Sequence, residues 1–126
     1  MNIGLKKSIL LSLFSDAPVF SMKPSDVHAH SGSDVRFKCS AHGIPKPTIT
    51  WSKNGVGVGG DYIVVGDGFM LVKDLVFWDA AVYQCFAENY LGKVQASANL
   101  FVYRKGNYMC TMDKIWYLLR HCLVEI

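Results

Sequence analysis

Between Pro18 and Tyr103 apolar and polar side chains alternate with a period of two, and the helical period of 3.6 is absent from that stretch. The segment SDVRFKCSA sets Val35, Phe37 and Cys39 on one face and Arg36, Lys38 and Ser40 on the other, as a half-buried antiparallel strand does. GIPKPTITW follows. Its two prolines cannot sit in a central strand, so Gly43 to Pro47 reads as a turn, and Ile49 and Trp51 point inward from the next strand. KNGVGVGGD is dense in glycine and asparagine and reads as a loop or a weak edge. YIVV and FMLVKDL are short strands joined by the hairpin signal Gly66-Asp67-Gly68, with Met70, Val72 and Leu75 inward. AVYQCFAEN carries Tyr83, Cys85 and Ala87 on one side, Gly92 turns the chain, and VQASANLFVY closes with Ala98, Leu100 and Val102 inward. About seven short strands, with turn signals every 8–12 residues or so, predict an all-β, two-sheet antiparallel sandwich.

The two ends break this rhythm. Residues 1–16 form a leader with weak signal-segment character: Lys6 and Lys7 precede a short apolar run from Ile9 to Phe14. That run sits at the lower limit of about 7 residues for a signal core, and cleavage after Ala17 would leave Pro18 first. Residues 17–104 form the domain. In the tail, 105–126, Ile115, Leu118, Leu119, Cys122 and Leu123 recur at helical spacing, which suggests a short amphipathic helix or a loose end. It is too short and too charged for a membrane span, which needs about 20 apolar residues.

Composition narrows the function. Of 126 residues 51% are apolar, enough for one packed core. The net charge of +3 comes from scattered basic residues that form no stripe, so nucleic acid is not expected as a partner. No G-x-S-x-G nucleophile motif occurs, and GVGVGG lacks the lysine and the following helix of a phosphate loop. His28 and His30 lie two apart on the first strand, but two histidines are too few to hold zinc. Cys110 and Cys122 in the tail could pair with each other, bind a metal with His121 or stay free, and the free state is the preferred reading. Neither catalysis, a cofactor nor a small-molecule substrate is expected. The absence of any N-x-[ST] glycosylation site weighs slightly against an extracellular setting. Cys39 and Cys85 lack the C-x-x-C or C-x-x-H spacing of a metal or redox pair.

The segments GSDVRFKC, GIPKPTITWSKNG, DAAVYQCFAENYLG and ASANLFV together resemble the immunoglobulin I-set family over Ala17 to Tyr103. KPSDVHAHSGSDVRFKC, WSKNG, DYIVV and YQCFAEN are similar to the fourth immunoglobulin domain of the deleted-in-colorectal-cancer, neogenin and protogenin receptor family. The resemblance implies an immunoglobulin-like sandwich with one inter-sheet disulfide, Cys39 to Cys85, and Trp51 packed against it. It implies that Tyr83, two residues before the second cysteine, returns its hydroxyl to the backbone of a corner begun by Asp79. Ala81 stands where the family usually has glycine. A bond closing a loop of about 46 residues is worth roughly 4 kcal/mol in the chain-entropy estimate, and it favours an oxidising compartment.

The same resemblance implies a non-enzymatic protein-recognition module of a cell-surface guidance or adhesion receptor. Its expected partners are other immunoglobulin domains or an extracellular ligand. The fibronectin repeats that carry guidance-ligand contacts in such receptors do not occur here, so the chain reads as a truncated product or fragment. Two other readings stand beside it: a secreted or matrix adhesion module, and an intracellular muscle-type I-set domain whose cysteines stay reduced. Phe77 and Trp78 are the sharpest oddity. They precede Asp79 at a turn where inward positions are already taken by Met70, Val72 and Leu75. Two adjacent exposed aromatics there suggest a contact patch, and packing against the leader or the tail is the competing reading.

Overall fold

The computed structural model describes residues 14–58, 63–104 and 109–110. Its strands are β1 (Asp16–Met22), β2 (Val27–His30), β3 (Val35–Lys38), β4 (Ser40–Ile44), β5 (Thr48–Lys53), β6 (Val56–Gly57), β7 (Ile63–Gly66), β8 (Phe69–Val72), β9 (Ala81–Asn89), β10 (Gly92–Tyr103) and β11 (Met109–Cys110). One layer runs β11-β10-β9-β5-β6, with β2 added on β10. The other consists of the pair β1-β4 and the sheet β3-β8-β7, which the chain joins through the single residue Cys39 between β3 and β4.

The expected strands are present, but the sandwich is built from more and shorter pieces than seven. The first strand is two. Pro24 lacks an amide hydrogen, and around it the chain leaves β4 and crosses to β10, where β2 pairs in parallel with Leu100 to Tyr103. His28 and His30 therefore lie on the opposite layer from β1, and the β2–β10 pair is a parallel exception in an otherwise antiparallel design. The turn at Gly43 to Pro47 is shorter than the prolines suggested, because β4 continues to Ile44, just ahead of a cis bond to Pro45.

Inward residues match the alternation. Val35, Phe37, Cys39, Trp51, Met70, Val72, Tyr83, Cys85, Ala98, Leu100 and Val102 form one buried cluster, joined by Leu75, Phe77 and Ala80 from the link between β8 and β9. The β7–β8 hairpin turns through Asp67-Gly68, and the φ of +79° at Gly68 explains the glycine. The leader before Phe14 and the proposed helix over Ile115 to Leu123, with His121 and Cys122, lie outside the described residues. Asp16, assigned to the leader by sequence, is the first residue of β1, and Met109–Cys110 form a short strand against Val102 and Tyr103.

Candidate functional site

The site grows from the corner between β8 and β9. Leu75 turns inward, and a single 3-10 turn, Phe77–Asp79, carries the chain across to the other layer. The Asp79 carboxylate accepts the Val76 amide at 2.8 Å and so closes the turn, a local bond that short acids form readily. Four residues on, the Tyr83 hydroxyl donates to the Asp79 carbonyl at 2.7 Å. Tyr83 is fully buried against Phe37, with ring centroids 5.3 Å apart. Burial, and secondarily the Asp79 carboxylate, push its hydroxyl well above the ordinary tyrosine range, so it remains a donor throughout the neutral range.

Two residues beyond Tyr83, Cys85 is bonded to Cys39 of the facing layer, with Cα atoms 6.5 Å apart. Trp51 is the register partner of Cys85 on β5 and packs on Phe37 at a centroid distance of 6.4 Å. The disulfide, Trp51, Tyr83 and Asp79 thus form one continuous brace from the middle of the sandwich to its end. The brace fixes the corner as a rigid platform.

On that platform the two aromatics part company. A 3-10 turn has about three residues per turn, so neighbouring side chains point in widely different directions. Phe77 is only 7% exposed and belongs to the core, whereas Trp78 is 58% exposed and meets Phe77 edge to face at 5.0 Å. The expectation of two exposed aromatics is corrected for Phe77. Phe77 joins Leu75 and Ala80 in the buried cluster.

The β5–β6 loop lies against this corner. Asn54-Gly55 links β5 to β6 as a two-residue loop with both residues at positive φ, 49° and 84°, which asparagine and glycine tolerate best. The N-G dipeptide was the signal for this hairpin. Asn54 then clasps β9: its amide donates to the Val82 carbonyl at 2.8 Å, and its side-chain oxygen accepts the Val82 amide at 3.0 Å. Lys53 donates its ammonium to the Trp78 carbonyl at 2.6 Å. Lys53 and Asn54 thereby hold the backbone of Trp78 and Val82 at one end of the molecule, where the Trp78 side chain is exposed; Val56, opposite Lys53, shares the face of Tyr83, and Val82 takes the other face. At the other end, Asn89 donates to the carbonyls of Asp16 and Pro45 at 2.8 and 3.1 Å and joins β1, the β4–β5 turn and β9.

His28 and His30 are exposed on β2. His28 stacks on Phe101 at 4.5 Å, and its Nδ1 lies 2.8 Å from the Tyr103 hydroxyl. Among the described residues no group of three His, Cys, Asp or Glu side chains is arranged to hold a metal, and no helix is long and apolar enough to cross a membrane. The arrangement offers a braced scaffold with side chains displayed for contact.

Residues 18–102 match the family model for the immunoglobulin I-set domain. The chain is 38% identical over 92 residues to human neogenin and 40% identical over 87 residues to the netrin receptor DCC of Rattus norvegicus, in each case over 68% of this chain. It is 38% identical over 103 residues, 80% of its length, to hemicentin-2 of Mus musculus. It spans only 6%, 6% and 2% of those three proteins. Among solved structures, the tandem immunoglobulin repeats of Dlar superpose with a TM-score of 0.67 at 31% identity, over 70% of this chain and 49% of that one. A chain of the titin M10–obscurin-like 1 immunoglobulin complex does so with a TM-score of 0.67 at 30% identity, over 71% and 96%.

Proposed function

We propose that this chain, which belongs to the immunoglobulin I-set family, is a non-enzymatic protein-recognition module of a cell-surface guidance or adhesion receptor and works by contact with another immunoglobulin domain. The observation that carries the reading is the exposure of Trp78 on an end braced by the Tyr83–Asp79 bond and the Cys39–Cys85 disulfide. An aromatic held on a rigid platform loses little conformational entropy on binding, and such residues are the commonest anchors of interfaces. The likeness to neogenin and to a netrin receptor supports the receptor setting. The likeness to a domain from a complex of two immunoglobulin domains supports the choice of partner.

The likeness to hemicentin-2 favours a second reading, a module of a secreted or matrix adhesion protein. Both readings place the chain in an oxidising compartment, and the disulfide supports that placement over the intracellular alternative suggested by titin. The experiment is to express the chain in a secretory pathway, denature it without reductant in the presence of an alkylating agent, and map Cys39 and Cys85. Both should be blocked by their bond. The secreted protein is then tested for binding to a second copy of itself and to the tandem immunoglobulin domains of the netrin receptor. Free thiols at both positions favour the intracellular reading, and failure to bind any immunoglobulin domain removes the partner assignment.

A further inference from the structure

Away from the corner, the outer face of the β3-β8-β7 sheet carries a second surface. Arg36 and Lys38 are alternate residues of β3, so both point to solvent, roughly 6.5–7 Å apart along the strand. The chain running from β1 to β2 passes beside them and adds Lys23. Together with Pro24 and Ser25 these residues line a groove of about 290 Å³. All three cations are exposed, and none takes part in either ion pair found among the described residues, Lys46–Asp67 and Lys93–Glu88.

The carboxylates nearest in sequence are turned to other work. Asp26 accepts the Asn99 backbone amide at 2.7 Å and the Asn99 side-chain amide at 3.3 Å. Asp34 accepts the Asp74 amide at 2.9 Å. The Arg36 guanidinium lies 4.3 Å from the centre of the Phe69 ring, which supports the fork at the surface instead of letting it wander. Three cations line one concave strip; Asp26 and Asp34 keep their charges but neither is ion-paired with them, so the strip carries a local excess of positive charge that the small net charge of the chain conceals.

We propose that this groove binds a linear polyanion, a sulfated polysaccharide chain. The groove is at the small end of ligand-site volumes, so it takes one sugar unit at a time while the chain continues along the strip. Sulfate oxygens suit the guanidinium fork and the lysine ammoniums, both of which form charge-assisted hydrogen bonds. The inference concerns a different face from the Trp78 end and does not rest on that recognition role.

The test uses the full chain and a size-defined heparin oligosaccharide, with affinity measured at several salt concentrations. Arg36→Gln/Lys38→Gln should weaken binding about tenfold or more at about 0.15 M salt and flatten the salt slope by roughly 1.5 to 2. Lys46→Gln/Lys93→Gln, which removes the same charge elsewhere, should change affinity less than about twofold, because exposed pairs contribute little. The charge-retaining Arg36→Lys/Lys38→Arg should keep most of the affinity and so separates lost binding from lost folding. Desulfated heparin should not bind, and Trp78→Ala should leave heparin binding unchanged. Equal losses in the two charge-removing variants, polyglutamate binding as tightly as heparin, or no binding by the parent protein would each overturn the proposal.

Discussion

Removing the hydroxyl of Tyr83 tests whether the corner is braced as described. In Tyr83→Phe the ring stays on Phe37, and only the bond to the Asp79 carbonyl is lost. A neutral hydrogen bond contributes about 0.5–1.5 kcal/mol net, and a carbonyl left without its donor adds to the loss. Asp79 is half-buried, so water replaces part of the bond, and the expected cost is about 1–2 kcal/mol. For a domain of this size that corresponds to a fall in Tm of roughly 4–16 °C. Urea unfolding should show a lower midpoint with an unchanged slope. A second arm uses pH. The folded hydroxyl is held above the ordinary value of 10.0, so between that pH and its own titration the folded state keeps a proton that the unfolded chain releases. Its stabilisation is complete below pH of about 10 and declines above it, by up to about 1.4 kcal/mol per pH unit. The parent should lose stability on that slope, and Tyr83→Phe should lose the slope. A variant as stable as the parent at neutral pH would refute the bond, and identical alkaline slopes would refute burial of the hydroxyl.

Other substitutions separate the core from the surface. Phe77→Ala should cost about 3–5 kcal/mol by chemical denaturation, as truncation of a buried phenylalanine does, while Trp78→Ala should stay within about 1 kcal/mol. Asp79→Ala removes the acceptor that closes the 3-10 turn and should cost about 1 kcal/mol, visible as a lower thermal midpoint. Replacing Cys39 and Cys85 together with alanine should cost about 2–5 kcal/mol, read from urea midpoints of non-reduced samples.

Where side-chain alternation and burial go together, the fold was legible in the sequence. Tyr83, Cys85 and Ala87 on β9 and Ala98, Leu100 and Val102 on β10 face inward as their period requires. The disulfide and the corner tyrosine are what the family resemblance implies, and Cys39 is bonded to Cys85 and the Tyr83 hydroxyl to the Asp79 carbonyl. The misreadings share a cause. Alternation says which face a residue takes within a strand but not which strand becomes its neighbour, so the switch at Pro24 that sends His28 and His30 to the second layer went unseen. In the 3-10 turn the period of two fails altogether. Phe77 therefore looked as exposed as Trp78, although only tertiary packing separates them. The Asn54 clasp was half legible: N-G announces a hairpin, but the reach of its side chain to Val82 depends on a strand distant in sequence.

Recognition of another immunoglobulin domain by the braced end through Trp78 is tested directly by affinity. The parent and Trp78→Ala are titrated into a second copy of the chain and into the tandem immunoglobulin domains of the netrin receptor, after circular dichroism shows both variants folded. A central aromatic anchor typically costs about 2 kcal/mol or more on truncation, so binding should weaken at least about thirtyfold, chiefly through faster dissociation. A folded Trp78→Ala protein that binds as tightly as its parent would contradict the account.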